Sequence, residues 1–596
     1  MQQRPEQRAV DSVRTQRTQP ALPGVTQPTV PIVTPRQGFP PMRKTPIRWR
    51  TLFPLLGLGV LLELLYLALY PLLANMARSN VSAAQAQQVQ QALPGLFPWL
   101  PFFYWTRAFP AIPQFLSHTP WLNITNGTTV NAANALFSVI LLMLAGIVVL
   151  IATAVSKRAA QEQRTRVHGG LLFWAILLMT GLFSVTMLFA PVSLNLFSQD
   201  MISYGLYGRL VVVHHVNPYG VVPTIFPEDT LQSLLSAKST TSYGPVWTDI
   251  SVLIALFARE SIANTLIGFR IIGLIAHLAN AALLWVILAR LKAETRLSAT
   301  LLYAWNPLML LFGIAEMHQE IVLVFIILLA ILFFQRNSPT IGWVFVLLAA
   351  LINLLWLPLL PLFFRFMLKQ SRILRLGQRL LWWLGMVTIS VIVVVLAYIP
   401  YWHALGIPGI LRQLHDTFLP DNATNSLNAA FLSLPIKSQG MISWFTVPHH
   451  WAFLALLIMG LFLLFGLWLA NTLELVVLFS GWLLLVLAIL LPTYWPWYIL
   501  APFALALCSA NRRVVMLAVL LTAGAFLSRY WLLVSNWSGQ ALVTVGLPLL
   551  LWGWILFFSA TWQMTHASEE EREVRSRPSF SRPPWLSRPT RPGRRK

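Results

Sequence analysis

Residues 169–196 read GGLLFWAILLMTGLFSVTMLFAPVSLNL, and residues 197–220 continue as FSQDMISYGLYGRLVVVHHVNPYG. The first stretch is apolar almost throughout and long enough to cross about 30 Å of hydrocarbon as a helix. The second gathers an acid, two tyrosines, an arginine, two histidines and an NPYG turn where that helix would surface. Similar apolar runs recur along all 596 residues, which are 57% hydrophobic and only 10% charged. Soluble domains carry about 25% charged residues. The sequence therefore predicts an all-α polytopic membrane protein.

The net charge of +23 sits mainly in the tails and short loops. Residues 1–50 and 562–596 are rich in Arg, Pro, Ser and Gln and have no composition for a core. They read as basic cytoplasmic tails beside anionic lipid rather than as nucleic-acid-binding segments. The first apolar run follows about fifty polar residues, which does not fit a cleavable signal peptide. Cys508 is the single cysteine, so disulfides within the chain and cysteine metal clusters are excluded.

Charge parity then orients the spans. Arg43 to Arg50 place the start of span 51–73 inside, and Lys157 to Arg166 do the same for the end of span 132–155. The loop 74–130 and the segment after span 170–192 fall outside. The piece 242–258 reads as a re-entrant or interfacial helix. The run 341–365 is flanked by inside charges at both ends, which calls for two short helices turning near Asn353. The expected organisation is a tail (1–50), a transmembrane pair with its outer loop (51–165), a membrane core (166–510), a second pair (511–561) and a tail (562–596). About 12–14 spans with outer-face interfacial helices and loops result.

This topology collects polar residues on one face. Asp200, Tyr204 and Tyr207 stand at i, i+4 and i+7 and share a face if 199–212 is helical. Asp200 reads either as a general base beside tyrosines or as a solvated interfacial acid. The turn AEMHQE (315–320) offers Glu316, His318 and Glu320, for phosphate or acceptor binding, proton transfer or part of a metal site; a plain polar turn is the alternative. Arg209 and Arg270 are candidate phosphate contacts, and Arg270 is the stronger because it lies about two turns inside a span. Snorkelling is its alternative. Glu63 and Asn353 are isolated polar residues similar to Arg270, and hydrogen bonding to a neighbouring helix is the alternative reading of each. The pairs His214–His215 and His449–His450 read as solvated. No Walker A, no GxGxxG after a strand and no HExxH is present, so nucleotide binding has no support.

Several motifs in order resemble one family. They are DMISYGLYGRL from Asp200, VNPYG from Val216, YGPVWT from Tyr243, FRII from Phe269, WNPLMLLFGIAEMHQE from Trp305, LPLLP at 357–361, NSLN from Asn425 and PWY at 496–498. The chain is similar to the GT-C superfamily of membrane glycosyltransferases, specifically the bacterial polyprenyl-phosphate-mannose-dependent mannosyltransferases, over roughly 165–510. Where relatives carry an acid this chain has Phe312, Glu316 and Gln319 stand for asparagines, and Asn353 stands where a lysine is common.

The resemblance implies a GT-C-like fold and transfer of a hexose, mannose, from a polyprenyl-phosphate sugar to a glycan or glycolipid acceptor. It implies an active site on the extracytoplasmic face of the cell membrane, with both termini cytoplasmic. Asp200 would be the catalytic base. Arg270, Arg209 and His318 would face the donor phosphate. Tyr204, Tyr207, Tyr243, Glu316, Glu320 and Trp497 would serve the acceptor or support the base. No nucleotide is needed, a divalent cation is left open as cofactor, and no nucleic-acid partner is expected beside the lipid bilayer. The competing readings are a transporter or flippase of lipid-linked glycans and a degenerate, catalytically inactive binding protein.

Overall fold

Apolar runs bounded by proline, polar caps and basic residues become helices because no backbone polar group can be left unpaired in hydrocarbon. The computed structural model describes residues 49–79, 129–162, 169–190, 198–232, 234–235, 239–371, 375–433, 447–534 and 540–559. Both basic tails and most of loop 74–130 lie outside these residues. The described chain is helical, with one isolated β-bridge joining Thr424 to Thr493.

The first three helices are α1 (Trp49–Ser79), α2 (Thr129–Glu162) and α3 (Gly169–Leu188). They pack on one another and on later helices through large buried side chains. Glu63 of α1 is buried and accepts a hydrogen bond from Thr186 of α3, so it bonds a neighbouring helix. Tyr66 donates to the Trp305 carbonyl at 2.8 Å. Then come the short α4 (Asp200–Val212) and α5 (Pro245–Ala258), the long α6 (Ile262–Leu291), and α7 (Arg296–Ala304). A single turn, α8 (Pro307–Leu310), runs into a π turn at Leu311–Ala315.

Two shorter apolar helices come next, α9 (Glu320–Gln335) and α10 (Pro339–Ile352). The apolar run 341–365 does break at Asn353, whose side chain caps the next turn by accepting from Leu355 N at 3.0 Å. After it come α11 (Leu360–Gln370), α12 (Leu376–Tyr398), α13 (Trp402–Phe418) and α14 (Leu427–Ser433). The chain continues with α15 (Pro448–Leu469), α16 (Leu473–Leu490), α17 (Leu500–Ser509), α18 (Arg512–Val534) and an apolar helix over Leu542–Ser559.

Among the described residues, eight helices are individually long and apolar enough to cross a membrane, and a bent pair over Arg296–Ala304 and Pro307–Ala315 makes a ninth. The expected range of 12–14 is reached only by adding shorter apolar helices, among them α5, α9 and α10. The chain is an all-α, multi-pass membrane protein. Helices α12 and α15 present rows of exposed Leu, Ile, Val and Phe, as lipid-facing surfaces do.

Close backbone packing sets the position of α4. A Cβ at Gly208 would lie 2.3 Å from the Ser251 carbonyl oxygen of α5, so only glycine permits this crossing. Gly244 is equally constrained: its N–H donates to the Ile352 carbonyl at 3.0 Å, and a Cβ would meet the Leu351 oxygen at 2.0 Å. These contacts hold α4, α5 and the end of α10 together.

Candidate active site

Ser198 and Gln199 start α4. The Asp200 N–H donates to Ser198 Oγ at 2.9 Å, and Gln199 O accepts from the first free amides of the helix. Asp200 thus sits in the first turn, where the helix dipole favours a carboxylate. Tyr204 and Tyr207 do succeed it on a helix. Tyr204 is fully buried, with ring centroids 4.8 Å from Tyr243, 5.0 Å from Trp247 and 5.7 Å from Phe269. Tyr207 donates to the Ser239 carbonyl at 3.1 Å. The two tyrosines build a wall that holds Tyr243, whose hydroxyl donates to Asp200 Oδ1 at 3.3 Å. Burial, with the Asp200 carboxylate beside it, pushes the Tyr243 phenol well above its ordinary range, so it remains a donor.

The second half of the site comes from the turn after α8. The π turn and Met317, at φ +46, redirect the chain so that His318 N donates to Phe312 O at 2.9 Å. Left-handed backbone at a methionine costs about 1 kcal/mol or more and clusters at functional sites. His318 is fully buried, with Nδ1 3.2 Å from Asp200 Oδ2; this is an ion-pair distance, and neither ring nitrogen makes an aligned hydrogen bond among the described residues. Burial drives its imidazole below the ordinary value and the neighbouring carboxylate opposes this, so the ring is neutral near pH 7. It lies flat on Trp497, at 3.8 Å and 11°, and Trp497 lies on Trp495 at 5.0 Å and 9°.

Asp200 borders a cavity of about 660 Å³. Glu320, Tyr243, Trp495 and Trp497 share its wall, with Gln319 and Asn353 nearby and Asp416 at another edge. The bridge between Thr424 and Thr493, with Tyr494 N donating to Thr424 O at 3.0 Å, ties the loop before α14 to the tryptophan turn. The lining holds the three acids Asp200, Glu320 and Asp416 and no lysine or arginine among the described residues.

The other candidates lie elsewhere. Arg209 is buried and its Nε donates to Asp229 Oδ2 at 2.9 Å; His214 Nε2 meets the same oxygen at 2.9 Å. Arg270 Nε donates to Ala315 O at 2.9 Å, and its Nη1 donates to Leu188 O at 3.0 Å and Ala190 O at 2.6 Å. Arg270 and Glu316 line a small separate cavity with Ser198 and Gln199. Asp229, which pairs with Arg209, and Asp416, which lines the cavity, are acids that no local sequence pattern marks. The only sequence signal for Trp495 is the aromatic cluster TYWPWY at 493–498.

Residues 108–369 match the family model described as alpha-(1->6)-mannopyranosyltransferase, N-terminal domain. No curated protein matches the chain. The matched stretch contains Asp200, Tyr243, Arg270, His318 and Glu320, and it ends before the tryptophan turn. Over that stretch the chain is similar to GT-C-like mannosyltransferases, and the match supports that family for it.

Proposed function

We propose that the chain transfers mannose from a polyprenyl-phosphate sugar to a glycan or glycolipid acceptor on the extracytoplasmic face of the cell membrane, with Asp200 as general base. The reading rests on one observation: the Asp200 carboxylate opens onto a sizeable cavity while Tyr243 donates to one of its oxygens and His318 stands 3.2 Å from the other. An acceptor hydroxyl in the cavity gives its proton to Asp200 as its oxygen bonds to the anomeric carbon. The bond from that carbon to the phosphate oxygen breaks, and polyprenyl phosphate departs with the electron pair. A single displacement inverts the anomeric configuration.

His318 in its Nδ1-protonated tautomer steadies the carboxylate from behind, and the Tyr243 hydroxyl does so from the side. Glu320 and Trp495 supply the hydroxyl-accepting and stacking surfaces that sugars bind, with Trp497 held between Trp495 and His318. Arg209 and Arg270 are engaged with Asp229 and with main-chain carbonyls, which leaves the donor phosphate to other groups. Among the described residues no three His, Cys, Asp or Glu side chains are arranged to hold a metal ion.

The test uses full-length protein in vesicles with labelled polyprenyl-phosphate mannose and a mannoside acceptor. A new glycosidic product that disappears in Asp200→Asn is expected. Movement of the labelled lipid across the bilayer without product would instead support a transporter.

A further inference from the structure

Arg270 is 3% exposed and lies inside α6, where a cation is costly unless its donors are matched. Three carbonyls take three of its five N–H donors. Leu188 O and Ala190 O belong to the end of α3, and Ala315 O to the end of the π turn. Helix C-termini leave carbonyls unpaired and carry partial negative charge, so a guanidinium suits both ends at once. The Glu316 carboxylate adds an electrostatic partner from the same turn. Arg270 and Ala315 line one small cavity with Ser198, Gln199, Met201 and Ile202, the residues on either side of Asp200, and three residues after Ala315 the chain delivers His318. The Asp200 and His318 side chains meet at 3.2 Å.

We propose that Arg270 is a positioning residue: by clamping the ends of α3 and of the π turn to α6, it sets the spacing of the Asp200–His318 pair. This rests on the reading of Asp200 as the base. It replaces the expected phosphate contact with a structural link, and it separates the two in kinetics. A phosphate ligand acts on donor binding. A clamp acts on the geometry of the reacting groups, where a displacement of about 1 Å costs roughly a hundredfold in rate.

The experiment compares wild type, Arg270→Lys, His318→Asn and the double variant, all full length, with labelled polyprenyl-phosphate mannose. Lysine keeps the charge but cannot span three carbonyls. The expected result is a kcat lower by about ten- to a hundredfold in Arg270→Lys with donor KM nearly unchanged, and a much smaller further loss in the His318→Asn background. A raised donor KM at unchanged kcat, or an equal loss in both backgrounds, overturns the proposal. Arg270→Gln, handled the same way, serves if the lysine variant does not fold. Histidine NMR of the resting protein gives a readout that needs no turnover. The His318 titration is expected to move in Arg270→Lys, and an unmoved titration overturns the clamp. Wild type without product, beside a His318 titration that responds to Arg270, would refute the transferase reading while leaving the clamp intact.

Discussion

The two ends of α4 carry two carboxylate clusters built from the same residue types and put to different use. At its C-terminal end Asp229 is 3% exposed and saturated. Its Oδ2 receives Arg209 and faces His214, and its Oδ1 accepts from Leu231 N at 2.9 Å. At the N-terminal end Asp200 is 30% exposed, with one contact on each oxygen and an open edge on the cavity. A buried carboxylate with both oxygens engaged holds structure together; one with a free edge beside a cavity can take a proton.

That contrast is broken most directly at Asp200. Asp200→Asn keeps the shape and the Tyr243 contact but has no basic oxygen; turnover is expected to fall by about 10²–10⁴-fold with an unchanged melting temperature. A melting temperature that fell with it would make Asp200 structural as well. The opposite pattern is expected of Arg209→Met, which strands a buried carboxylate. The loss is about 3–5 kcal/mol of stability, read by thermal unfolding, with little change in turnover per folded molecule.

Tyr243→Phe removes one neutral donor from Asp200 and is expected to cost about 0.5–1.5 kcal/mol, a several-fold drop in kcat. The pH response sharpens the comparison further. His318 titrates below its ordinary value of 6.5 in the fold, so its contribution to stability is complete above that value. As pH falls through 6.5 the unfolded chain takes up a proton that the buried ring resists, and stability declines. Melting curves across that range are expected to show this slope in wild type and a shallower one in His318→Asn. The smallest effect belongs to Trp495→Ala, a rise in acceptor KM of a few-fold from lost stacking on sugar.

Much of this is legible in the sequence, and for particular reasons. Asp200, Tyr204 and Tyr207 share a face because helical spacing dictates it, and the break at Asn353 is required by charges at both ends of one apolar run. The partners are not legible. Asp229 lies twenty residues beyond Arg209 in an irregular segment, and the acceptors of Arg270 are main-chain carbonyls that no side chain advertises. The stack of His318 on Trp497 joins residues far apart in the chain. Lipid-facing helices are apolar on nearly every side, so periodicity says little about which face meets which neighbour.

The short helices have a consequence for how the protein is made. A helix of 14 residues, such as α10, rises about 21 Å, well under the ~30 Å of hydrocarbon, and the 16 residues of α9 fall short as well. Neither is suited to leave the translocon alone. They are joined by a tight turn in which Asn337 has φ +59, and they pack closely against each other. Entry together as a hairpin would suit both. Glu320 heads α9, so this wall of the cavity would come into being only with that hairpin.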